Sequence, residues 1–169
     1  MASPRQPSHR ATRIRGDRPA EPRRELPVAA EEVADPARPR SVVDYALTRR
    51  SVLGRITAGD TLLRADHQDA DPYLIRAAKH HGETTERPCP LCAKPLVHVT
   101  YVFGDELGPY SGRIKNSPDL PLMAYEYGHF RVYVVEVCQI CGWNHLTLSY
   151  VLGDGVPRRP PAKPRDLLD

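Results

Sequence analysis

The sequence predicts an α+β fold, with helices before residue 87 and strands after it. Three observations carry this expectation. Between residues 41 and 87, apolar residues recur at three- and four-residue steps. From Pro88 onward, three runs are rich in β-branched and aromatic residues. Two C-x-x-C pairs sit at the ends of the first two of those runs.

The helical part opens with "SVVDYALTRRSVLGRIT". Ser41 and Asp44 form a capping-box-like start, and Val42, Val43, Ala46, Leu47, Leu53 and Ile56 give one apolar stripe. The spacing predicts a helix from Val42 to Ile56, with Arg49, Arg50 and Arg55 in its C-terminal half, where the helix dipole favours cations. "AGD" breaks the pattern and "TLLRA" predicts a further turn. In "DPYLIRAAKHHG", Asp71 stands as N-cap, Pro72 at the first helical position and Gly82 past the end. Two helices before a β-unit raise the question of a helix-turn-helix, but the turn between them is long and not diagnostic.

The strand part contains "LVHVTYVFG", "FRVYVVEV" and "HLTLSYVLG". The middle run is apolar on both faces apart from Arg131 and Glu136, as a central strand should be. In the third, Leu146, Leu148 and Tyr150 alternate with His145, Thr147 and Ser149. Between the first two strands, residues 104–129 form an insertion. Its first half reads as Gly-rich loop and its second half as a short helix over Pro118–Tyr127.

The four cysteines, Cys89, Cys92, Cys138 and Cys141, fall into C-P-L-C and C-Q-I-C with forty-five residues between them, and none is left over. A C-x-x-C turn presents two thiolates to one ion with its amides aimed at the sulfurs, and two such turns complete a tetrahedral site. One knuckle leads into strand one, and the other joins strands two and three. That arrangement predicts a three-stranded antiparallel zinc ribbon holding one structural Zn2+ per chain. Rubredoxin-like iron uses the same ligands. A dithiol redox pair leaves the second pair without a role. His81-x-Glu83 followed by Pro88-Cys89-x-x-Cys92 contains the pieces of a zinc deaminase signature. The interval from Glu83 to Pro88 is too short for the structure that brings two helix starts onto one metal.

Composition places the basic excess at the ends. Residues 1–40 hold nine arginines against six acids and seven prolines. Residues 41–153 hold eleven Lys and Arg against twelve acids. Residues 154–169 hold four against three. The two ends are expected to be disordered tails around a near-neutral core, with residues 41–87 a helical segment and 88–153 the ribbon. No apolar stretch is long enough to span a membrane, and the Arg- and Pro-rich start is not a secretory signal, so a cytoplasmic location is expected.

The stretches "VVDYALTRRSVL", "DPYLIRAAKHHG", "CPLC", "VFGDELGPYSG" and "VVEVCQICGWNHLTLSYVLG" resemble a family of small actinobacterial proteins carrying a domain of unknown function. The resemblance runs from Val42 to Gly153. It implies the zinc ribbon and supplies no activity.

No Ser-His-Asp set, phosphate loop or useful carboxylate pair is visible, so the chain is expected to be non-catalytic, and no small-molecule substrate is identified. The expected function is a regulatory or adaptor module that docks on a protein partner. The alternative is a nucleic-acid-associated factor whose basic tails contact phosphates. Trp143, Asn144 and His145, directly after the second knuckle, form either a partner surface or part of the core. Tyr101, Phe103, Tyr133 and Tyr150 are available for base stacking or for packing.

Overall fold

A computed structural model describes residues 35–156 and 158. The elements run β1 (Arg40–Asp44), α1 (Ala46–Thr57), α2 (Thr61–Asp66), α3 (Pro72–His81), β2 (Glu83–Pro88), β3 (Pro95–Phe103), β4 (Arg113–Ile114), α4 (Leu120–Tyr127), β5 (Phe130–Val137) and β6 (Asn144–Leu152). Short 3-10 turns cover Asp105–Tyr110 and Ser117–Asp119. The fold is α+β, but its sheet is broader than three strands. It has six, in the order β1-β6-β5-β3-β2, with β4 added beside β3 and every pairing antiparallel. The three predicted strands are its centre, β3-β5-β6.

Two strands lie within or at the edge of the segment expected to be helical, and one of them overlaps a predicted helix. Residues 40–44 pair with β6, with Val43 opposite Ser149, and the helix begins only at Ala46. Val42 and Val43 are β-branched and fit a sheet edge as well as a helix, so the apolar spacing could not separate the two. Glu83–Pro88 pairs with β3 and extends the sheet on its other side. Its sequence, ETTERP, is exposed and polar, as befits an edge strand that ends in proline. Residues 41–87 are therefore not wholly helical. Elsewhere the caps act as expected. The Asp71 carboxylate accepts from the Tyr73 amide with Pro72 inside the first turn of α3, and Asp60 accepts from Leu63 at the start of α2. Residues 35–40 and 154–156, at the inner ends of the two expected tails, are placed against the domain. Gly153 donates to the Pro36 carbonyl, and Gly155 to that of Gly128. The rest of both tails lies outside the described residues.

Strand alternation and register divide the sheet into two faces. One carries Leu96, His98, Thr100 and Val102 of β3, Phe130, Val132, Val134 and Glu136 of β5, and His145, Leu148, Tyr150 and Leu152 of β6. Helix α4 packs on one end of it, with Leu120, Met123, Ala124 and Tyr127 against Val102, Phe130, Val132 and Leu152. Helices α1 and α2 pack on the other end, where Ile56, Val52, Leu53 and Leu63 meet Leu96, Trp143 and the cysteines. Among the described residues the opposite face is covered by α3 at the cysteine end, through Ala77 and Ala78 against Val97, Val99 and Val137.

Candidate metal centre

The two C-x-x-C turns are built alike. In the first, the Ala93 amide donates to the Cys89 carbonyl at 2.9 Å, and the Cys89 amide to the Lys94 carbonyl at 2.8 Å. In the second, Gly142 donates to Cys138 at 3.0 Å, and Cys138 to Trp143 at 2.8 Å. The residue after the second cysteine is left-handed in both, Ala93 at φ 57 and Gly142 at φ 73. A Cβ on Gly142 would also run into the carbonyl of Gln68, so the second turn needs glycine twice over.

The sheet brings the two turns together at one end, where β2 delivers Cys89 and β5 delivers Cys138. The four sulfurs lie within 4.8 Å of one another, and the Cys89–Cys141 and Cys92–Cys138 pairs are each 3.5 Å apart. Four thiolates around one zinc at the usual bond length sit about 3.8 Å apart, so the donor set fits a tetrahedral ion. All four are free cysteines, and Cys89 and Cys138 are buried. Burial pushes the Cys89 thiol up to about 12, against the pull of the Leu91 and Cys92 amides. Burial also raises Cys92, with the Lys94 amide opposing it. At Cys141 burial pushes upward too, but the Trp143 amide and the neighbouring thiols outweigh it and hold the group below its usual value. Amides placed in this way against the sulfurs favour the thiolate form that a metal ion needs. The four cysteines can hold a metal ion, and loading it has to expel protons.

The helical segment wraps the second turn. The Gln68 side chain donates to the Cys141 carbonyl at 3.3 Å, the Ala70 amide to that of Gly142 at 3.1 Å, and the Asn144 amide to that of His67 at 3.0 Å.

The profile of DUF5318, a family of unknown function, matches residues 37–165, a span that includes both knuckles. The chain belongs to the DUF5318 family. Uncharacterized proteins of Mycobacterium tuberculosis and Mycobacterium bovis are each 48% identical to it over 120 residues, which is 70% of this chain and 87% of the relative. The expected kinship with an actinobacterial family of unknown function is found at that level. No solved structure matches the chain.

In this DUF5318 chain the residues after the second knuckle turn inward. Trp143 has no exposed surface, His145 is 7% exposed, and Asn144 is half-buried. The indole Nε1 donates to Oε1 of Glu136 at 2.8 Å, and the same oxygen takes Nε of Arg49 at 2.6 Å. Glu136 is fully buried, and its Oε2 has no partner among the described residues. His98 and His145 stand directly across from it on β3 and β6, each with a buried Nε2 lacking a hydrogen bond. Burial pushes both histidines below their ordinary value, with Glu136 pulling the other way. Sequence reasoning did not assign this cluster. Its one signal was Glu136, an acid in a strand otherwise apolar on both faces.

The candidate stacking aromatics separate. Tyr101, Phe103 and Tyr133 share the partly uncovered face, with Phe103 edge-on to Tyr133 at 5.6 Å, while Tyr150 lies on the other. Val135 and Leu146 complete an open apolar surface around the three.

Proposed function

We propose that the cysteine centre is a structural zinc site and that the domain is a zinc-ribbon-like binding module rather than an enzyme. The convergence of four thiols from two matching knuckles carries this reading. Four sulfur ligands fill a tetrahedral ion and leave no position for water or substrate, so the metal holds the sheet end together and does no chemistry. Zinc suits four thiolates in a tetrahedron, and iron is the competing ion. Cys89, Cys92, Cys138 and Cys141 are the ligands, one ion per chain.

The partner is a protein that lays an apolar segment across Tyr101, Phe103, Tyr133, Val135 and Leu146. Those five side chains carry no charge, which suits an apolar protein surface better than a phosphate backbone. The test is capture by the full-length chain and by its Phe103→Ser and Tyr133→Ser variants, with metal content and melting temperature checked in each. A captured protein that survives high salt and nuclease, and is lost in both variants, supports the reading. Capture that fails in high salt or with nuclease, and is indifferent to both substitutions, supports the nucleic-acid alternative instead.

A further inference from the structure

On the face that carries Glu136, α1 covers one end and α4 the other, and among the described residues the sheet between them is left open. The gap is a cavity of about 430 Å³. Its floor is Val134 and Leu148 with the rings of His98 and Tyr150, and its rim holds Asp44 on one strand and Arg87 on another. Arg49, also at its edge, is committed to Glu136. Among the described residues Arg87 makes no ion pair, and it lies near enough to His98 to oppose protonation of that ring. The buried Nε2 of His98 has no partner. Asp44 uses one oxygen on the Ala46 amide at 2.7 Å. Glu83 is tied to Ser117 by two bonds of 2.6 Å.

The charges around this cavity select the ligand. Three charged side chains line it, and Arg49 is committed to Glu136, which leaves Asp44 and Arg87, one of each sign. A simple anion would answer only Arg87 and a simple cation only Asp44. We propose that the cavity binds a small zwitterion with an apolar side chain, an α-amino acid or a dipeptide. Its carboxylate pairs with Arg87, its ammonium group meets Asp44, and its side chain lies on Val134 and Leu148 beside the His98 ring. The volume accommodates a ligand of this size. This site is separate from the cysteine centre and does not depend on which metal fills it.

The probes are L-leucine, leucyl-leucine, N-acetyl-leucine and leucinamide, titrated into the full-length protein and followed by NMR at Val134, Leu148 and His98. The expected result is saturable shifts with leucine or leucyl-leucine, and affinity at least roughly tenfold weaker for both blocked forms. Arg87→Gln, an exposed change that should leave the melting temperature intact, weakens zwitterion binding by a similar factor. Arg131→Gln, on the opposite face, leaves it unchanged. The proposal is overturned if neither zwitterion saturates these signals, if a blocked form binds as well as leucine, or if Arg87→Gln has no effect.

Discussion

Arg49 and Trp143 meet at a single oxygen: both donate to Oε1 of Glu136, at 2.6 and 2.8 Å. The guanidinium comes from α1 and the indole from the turn that carries Cys138 and Cys141, so one buried carboxylate ties the helical layer to the cysteine end of the sheet. The Arg49 guanidinium also lies 6.0 Å from the centre of the indole ring.

The pair predicts an asymmetry between substitutions. Arg49→Met leaves a fully buried carboxylate without its cation and should cost about 3–5 kcal/mol in urea unfolding of the metal-loaded protein. The double variant Arg49→Met, Glu136→Leu removes both charges and should recover much of that loss. Equal losses in the single and double variants would show that the ion pair does not organise this junction.

The matching knuckles predict opposite responses at equivalent positions. Gly142→Ala places a Cβ at φ 73 and against the Gln68 carbonyl. It should destabilise by about 2 kcal/mol or more. Ala93→Gly relaxes a residue already held at φ 57, so it should be neutral or stabilising by up to about 1 kcal/mol. Thermal melts of the two variants beside the parent check this.

The buried histidines predict acid sensitivity. Burial lowers His98 and His145 from the ordinary 6.5. Between that value and their folded values the unfolded chain binds more protons, so stability rises with pH across the window and falls as pH drops below 6.5. Above the window the two states are equally deprotonated and the slope vanishes. Substituting both histidines by glutamine should flatten the stability–pH curve below about pH 6.5, read from urea midpoints at fixed metal loading.

The cysteine centre was legible in the sequence because its chemistry is local. Each C-x-x-C fixes a turn, and the lengths between them fix which strands lead in and out. Helix α3 was legible for the same reason, with Asp71, Pro72 and Gly82 marking its ends. The added strands were not. Val42 and Val43 carry a pattern shared by helix and strand, and only the pairing of Val43 with Ser149 and of Asp44 with Leu148 on β6 decides between them. ETTERP has no apolar period at all and becomes a strand because β3 offers it an edge. The buried Glu136 cluster is assembled from α1, β3, β5 and β6, and no local pattern announces contacts separated by eighty-seven positions.

Cys138→Ser removes one sulfur from the buried half of the centre. It should abolish stoichiometric metal retention and lower the melting temperature of the whole domain, because Cys138 ends the central strand and Trp143 and Glu136 depend on that strand end.

The central claim is a closed four-sulfur site. Elemental analysis of the purified full-length protein with zinc-edge X-ray absorption tests it most directly. A closed four-sulfur site gives one zinc per chain, with four sulfurs at about 2.3 Å and no nitrogen or oxygen ligand. Protein that is folded and free of zinc and iron, or a metal bound with an oxygen or nitrogen in its coordination sphere, would contradict it.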